Sequence, residues 1–316
     1  MITERLSVSP REMSVLTMLL GEPRSRREIA QSLGVSQPEL TRLLKSVKSK
    51  GFVVIQRQGM SSSVSLSDLR HASLLRRILD EYSHMRLDRI LSLTSFEVLS
   101  YLAATAGGTR SDIISSTGVS ARALQSALKR LRELGIVRVR TRGEYELSDR
   151  FTPIGEFLRE FHAYSNQRKA TEFCQDATVV WQRGDEFIIR TKCERESADF
   201  RLTALSGFEE YGVSLFLDRQ YYYHPVGIWR KTIDEVLLQS LLIRPRSTRE
   251  NTAILMLWER NNLSRQLGRL RKLAARYGIS NELEMIVAYF RDPTRNRPPG
   301  FPKISELKEK LRSQHP

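Results

Sequence analysis

Apolar residues fall at helical spacing in three short runs near the start of the chain, and related runs return 84 positions later. In the first set, Met13, Leu16, Leu19 and Leu20 share one face of a helix predicted over Pro10–Leu20, which opens on Ser9-Pro10-Arg11-Glu12. A serine before the first turn with a glutamate three residues on is a capping box, and proline suits the first turn. Ser25 with Glu28 opens a second helix that turns Ile29, Ala30 and Leu33 inward. Gly34 supplies a tight turn, because positive φ costs glycine little. Ser36 caps a third helix with Leu40, Leu43, Leu44 and Val47 as its apolar stripe, and Gly51 ends it. Alternation then predicts strands over Phe52–Ile55 and Ser63–Leu66, closed as a hairpin around Arg57–Ser62. A long amphipathic helix is expected over Leu69–Ile90.

Adding 84 carries Gly34 onto Gly118, Val35 onto Val119, Ser36 onto Ser120, Leu40 onto Leu124, Leu44 onto Leu128 and Gly51 onto Gly135. A fixed period means a repeated structural unit. The second copy opens on a capping box at Thr94–Glu97, with Thr109 and Ser120 capping its next two helices. Its third helix packs through Leu124, Ala127, Leu128 and Leu131, and its hairpin runs Val137–Leu147. Phe157, Leu158, Phe161 and Tyr164 continue in a helix leading out of the copy.

Helix, turn, helix, hairpin is the pattern of a winged helix-turn-helix, whose recognition helix needs a packed back and a polar front. The polar fronts are Gln37, Thr41, Arg42, Lys45 and Lys48 in the first copy, with Arg57 on its wing, and Arg122, Gln125, Ser126, Lys129 and Arg132 in the second. Alternation along the second wing puts Arg138, Arg140 and Arg142 on one side and turns Val137 and Val139 to the core. Three arginines in a row call for an anion, and phosphates or a narrow minor groove are the expected one.

From about Thr171 the texture changes. Strands are predicted over Ala177–Trp181 and Glu186–Thr191, and a second pair over Val213–Leu217 and Tyr221–Tyr223. The Tyr221–Tyr223 run could stack on bases, but it reads better as one ring in the core and two partly exposed. Capping boxes at Thr232–Glu235 and Ser247–Glu250 start two helices. A third, Ser264–Tyr277, sets Arg265, Arg269, Lys272 and Arg276 along an edge that suits DNA and an acidic protein equally. A Pro/Arg-rich linker, Pro293–Pro302, precedes a tail helix over Ile304–Leu311. The fold class expected is mainly α with small β-hairpins (α+β), as domains over 1–90, 91–170 and 171–316.

Charge sharpens this reading. The chain of 316 residues carries a formal +15, from 51 Lys/Arg against 36 Asp/Glu, which favours polyanionic partners. No run of apolar residues suggests a membrane span, and no secretory leader is visible, so a cytoplasmic, nucleoid-associated protein is expected. Cys174 and Cys193 are the only cysteines, too few for a disulfide framework; reduced thiols are the first expectation and a single bridge between them is the alternative. No catalytic constellation emerges. The five histidines have no metal spacing and no phosphate-binding GxxxxGK[ST] loop is present. Glu306-Leu307-Lys308 has the form of a nuclease ExK but reads as a solvated helix, and Asp185-Glu186 lacks a second acidic pair. Neither a cofactor nor a metal is expected, and the chain does not read as an enzyme.

The residues Tyr211-Gly212-Val213, Tyr222-Tyr223-His224-Pro225, Asp234–Leu241, Leu273–Gly278 and Pro302 resemble the AbiEi-type antitoxin and transcriptional regulator group of abortive-infection systems, especially its archaeal relatives. Each helix-turn-helix copy is also similar to MarR-like domains. The AbiEi resemblance covers mainly residues 173–312 and implies a winged helix that represses its own operon, with a C-terminal part serving antitoxicity or dimer contacts. Two winged helices stand here where that group usually has one. The expected activity is sequence-specific binding of double-stranded DNA by a transcriptional regulator, as a homodimer or a pseudo-dimeric monomer. In the form the resemblance implies, it is an autoregulating antitoxin with a cognate toxin. The rival readings are a protein-interaction adaptor and a non-specific architectural DNA binder.

Overall fold

The computed structural model describes residues 6–58, 61–140, 143–195, 197–226, 230–245 and 247–313. It is a mixed α/β chain with small antiparallel sheets. It divides into two compact units, one up to Asn166 and one from Gln167.

The first unit runs α1 (Pro10–Met18), β1 (Arg24–Ser25), α2 (Arg26–Leu33), α3 (Gln37–Ser49), β2 (Val53–Gln58), β3 (Ser61–Leu66), α4 (Arg70–Glu81), α5 (Leu87–Ile90), α6 (Leu93–Thr105), α7 (Arg110–Thr117), α8 (Ala121–Glu133), β4 (Val137–Val139), β5 (Tyr145–Leu147) and the start of α9 (Thr152–Phe173). The 84-residue repeat holds at the level of element ends. Both ends of α2 and α3 fall on both ends of α7 and α8, and the first residue of β2 falls on that of β4. Gly34 and Gly118 end α2 and α7 in the left-handed conformation, at φ 63° and 67°. Arg24 of β1 pairs with Val64 of β3, and its counterpart Gly108 bridges to Tyr145. The second hairpin is the shorter, with three residues per strand against six.

The predicted caps explain most helix starts. Ser9 with Glu12, Ser25 with Glu28 and Thr109 with Asp112 form capping boxes, while Ser36 and Ser120 accept single backbone bonds. Glu12 does more than cap. It is buried and accepts from Lys50 Nζ at 2.7 Å, tying the start of α1 to the residue that ends α3. Two expectations need correction. The capping box at Thr94–Glu97 does not form, because Phe96 N–H bonds to Ser92 O and the helix therefore starts ahead of Thr94. The single helix over Leu69–Ile90 is broken after Glu81. The chain turns at Tyr82, whose hydroxyl donates to Arg150 O, and this brings Leu87, Ile90 and Leu91 into the core.

Both copies share one hydrophobic core. Phe161 of α9 is fully buried at their junction, with its ring 4.8 Å from Phe52 of the first copy and 6.0 Å from Phe96 of the second. His71 lies against the rings of Phe52, Phe161 and Tyr164, with Nε2 2.9 Å from Lys50 O. Gly51 is required there: φ is +75°, and a Cβ would come within 2.6 Å of the Tyr164 ring.

The second unit takes the end of α9, then β6 (Thr178–Arg183), β7 (Glu186–Thr191), β8 (Arg201–Leu202), β9 (Gln220–His224), α10 (Ile233–Leu242), α11 (Thr248–Arg260), α12 (Leu267–Tyr277), α13 (Ser280–Arg291) and α14 (Ile304–Ser313). Its sheet is antiparallel in the order β6-β7-β9-β8. Val213–Leu217 is not a strand, since β9 finds its partners in β7 and β8. The sheet is covered on both faces. Ile188, Tyr221 and Tyr223 face the helical core, while Phe187, Ile189 and Tyr222 face a smaller core with Ala170 and Phe173 of α9. This double cover corrects the tyrosine expectation: all three rings are buried, and none offers a face for base stacking. Thr232 accepts from Glu235 N, but the Glu235 carboxylate turns to Tyr277, so only half of that capping box exists. Ser264–Gln266 forms part of a 3-10 turn ahead of α12.

Candidate nucleic-acid interface

The predicted polar fronts are exposed. Leu40, Leu44 and Val47 bury one side of α3, and Gln37, Thr41, Arg42, Lys45 and Lys48 stand on the other. In α8 the buried set is Leu124, Ala127, Leu128 and Leu131, and Arg122, Gln125, Ser126, Lys129 and Arg132 are exposed. Among the described residues no carboxylate pairs with Arg42, Lys45, Lys48, Arg122 or Arg132. Lys129 reaches Glu133 only at 4.0 Å, one turn along its own helix. Unpaired cations on a helix face keep their full attraction for an external anion, because no internal partner screens them.

The hairpins differ from this. Arg57 is exposed on β2. Arg138 and Arg140 share one side of β4, as alternation predicts, but they are not short of an anion. Both bond to the carboxylate of Glu146, the residue directly across the ladder from Arg138, and Arg138 also reaches Asp149 at 3.1 Å. The Glu146 side chain is only 8% exposed, whereas the two arginines are about half exposed. Glu146, and the Asp149 charge next to it, hold the Arg138 guanidinium pKa above its usual value. The case for an external phosphate resting on mutual repulsion therefore fails for this pair. Arg142 lies outside the described residues. Val139, expected inside, is 45% exposed, because the three-residue β4 carries it past the edge of the core.

The basic edge of the second unit is also partly spent. Arg269 pairs at 2.8 Å with Asp234, whose side chain is 1% exposed. Arg276 lies 5.7 Å from the Tyr277 ring, and its carbonyl accepts from Arg183. Arg265 and Lys272 are exposed.

The sequence reading missed a buried polar network in this unit. Tyr223 donates to Glu186, which pairs with Arg183 at 2.7 Å, and Tyr277 donates to Glu235 at 2.6 Å. The Arg183 guanidinium lies 5.2 Å over the Tyr277 ring. Burial, then the charge of Glu186, pushes both tyrosine hydroxyls far above the phenol range, and burial raises Glu235. These groups come from four separate elements, β6, β7, β9 and α10, and meet α12, so no local spacing announces them. Hydroxyl donors paired one-to-one with carboxylates satisfy one another, which is the arrangement that holds a core in register.

Cys174 and Cys193 are joined in a disulfide with Cα atoms 6.4 Å apart, correcting the expectation of reduced thiols. The end of β7 carries Cys193 back beside the end of α9. Asp176 lies between them, but its oxygens accept from Thr191 Oγ1 and, at 2.9 Å, from Lys192 N. That occupies the carboxylate which, among the described residues, lies close enough to join the two sulfurs around a metal.

Among the described residues no helix is long and apolar enough to cross a membrane. Comparison with models of known protein families finds no match, and comparison with curated proteins finds none.

Proposed function

We propose that the first unit is a tandem pair of winged helix-turn-helix modules that binds double-stranded DNA, and that the protein is a sequence-specific transcriptional regulator working at the nucleoid in the cytoplasm. The carrying observation is the coincidence of α2–turn–α3 with α7–turn–α8, residue for residue, with an exposed basic and amide-bearing face on each second helix. A helix of this kind fits the major groove, where arginine, lysine and glutamine match base-edge acceptors and donors. The hairpins would lie on adjacent phosphates as wings. Arg57 is exposed for that contact, whereas Arg138 and Arg140 would share it with Glu146. Two modules in one chain suit half-sites about 10 base pairs apart, or a multiple of that.

The test is charge reversal on the helix faces. Fluorescence anisotropy with a labelled random-sequence duplex should show the Lys45→Glu, Lys129→Glu double variant losing most of the affinity of the unaltered protein at low salt. Both side chains are exposed, so circular dichroism should be unchanged. A folded double variant that binds as well as the parent would remove α3 and α8 from the interface.

A further inference from the structure

The two exposed helix faces are not copies of each other, and the difference includes the N-terminal positions. The buried positions fix the alignment: Leu40, Leu44 and Val47 of α3 stand where Leu124, Leu128 and Leu131 stand in α8. The two helices therefore turn the same face outward. Along that face two basic positions are kept, with Lys45 matching Lys129 and Lys48 matching Arg132, while Ser46 and Ser49 stand where the second copy has Arg130 and Glu133. The earlier positions disagree in chemistry. Gln37 stands where the second copy has Ala121, Pro38 where it has Arg122, Thr41 where it has Gln125, and Arg42 where it has Ser126. The N-terminal residues of a recognition helix are the ones that reach base edges, and sequence-independent affinity comes from cations on phosphates. In a pair of modules related by dimer symmetry both sets would be identical.

A second observation removes the freedom to pair like with like. The two copies have a single core, and Phe161 touches Phe52 of one and Phe96 of the other. The spacing and order of the two faces are thus set by the fold.

Resting on the DNA-binding reading above, we infer that the ligand is a non-palindromic, bipartite duplex site, read in one orientation by a single chain. The α3 half is set by Thr41 and Arg42. Arg42 suits guanine, through its O6 and N7 acceptors, and the Thr41 methyl suits thymine. The α8 half is set by Arg122 and Gln125, and Gln125 suits adenine.

The experiment is selection of binding sequences from a random duplex library with the full chain, followed by the mass of the complex with the best duplex in solution. The result expected is two unlike half-sites in a fixed order at a fixed spacing, with one chain per duplex. Arg42→Ala should then relax preference in one half only, and Gln125→Ala in the other, each by about ten- to hundredfold at the bases concerned. A palindromic motif bound by two chains, or a motif with one half only, overturns the inference while leaving DNA binding intact. Failure of the chain to retain any duplex at low salt overturns the DNA-binding reading itself, and this inference with it.

Discussion

Glu146→Gln is the perturbation that separates the hairpin's internal charge balance from its proposed role on phosphates. In the structure one carboxylate, 8% exposed, holds both Arg138 and Arg140, with Asp149 supplying a second negative charge to Arg138. Within this ion-paired group two cations stand against two carboxylates. Glutamine keeps the shape and one acceptor oxygen but removes a full negative charge, leaving the arginines with a net +1 to offer. If the hairpin lies on the backbone, about one further counterion is displaced on binding, which steepens the log–log salt slope by about 0.9. Over a fourfold change in salt, such as from about 200 to about 50 mM, the variant should gain about 3.5-fold in affinity relative to the parent. The assay is an anisotropy titration of both proteins on one duplex at four or five salt concentrations, with circular dichroism to confirm folding. An unchanged slope would place the second hairpin off the DNA. A weaker, folded variant would show that Glu146 orders the arginines for contact, contrary to the charge-balance reasoning.

Three further outcomes are expected. Phe161→Ala empties a fully buried site between the two copies and should lower stability by about 3–5 kcal/mol in urea unfolding; a loss below about 1 kcal/mol would deny the shared core. His224 is buried against Phe187, and burial, assisted by the charge of Lys169, lowers its pKa from 6.5 to about 4. The unfolded chain then takes up the proton first, so stability present above pH 6.5 falls by up to about 3 kcal/mol as pH drops towards about 4. His224→Leu should flatten that part of the pH–stability curve, and an unaltered curve would contradict it. Reducing the Cys174–Cys193 bond opens a loop of 19 residues and should cost about 3 kcal/mol of stability; equal stability of the oxidised protein and Cys174→Ser would show that the bond constrains nothing.

The repeat was legible because everything that builds it is local. Serine and threonine caps, glycine turns and i, i+3, i+4 leucines act within a few residues, and they mark α2, α3, α7 and α8 closely. What escaped the sequence depends on partners distant along the chain. The pairing of β9 with β7 and β8 decides that Tyr221–Tyr223 is buried on both faces, and no alternation within those residues carries that information. The Glu146 carboxylate that pairs with Arg138 and Arg140 sits on the opposite strand, in a register that alternation along one strand does not reveal. The meeting of Cys174 with Cys193 likewise follows from how β7 returns to α9. One miss was avoidable: Leu283, Ile286 and Tyr289, buried at three-residue spacing, were a readable signal for α13.

The central claim is that α3 and α8 meet duplex DNA with exposed cations, of which Arg42, Lys45, Lys48, Arg122 and Arg132 pair with no carboxylate among the described residues. The most direct measurement is the affinity of the purified full chain for a random-sequence duplex and for the DNA upstream of its own gene, across a salt series. The account predicts a steep inverse dependence on salt for both, with binding to the upstream duplex persisting to higher salt than binding to the random one. Binding to neither duplex at the lowest salt would contradict it and turn attention to a protein partner.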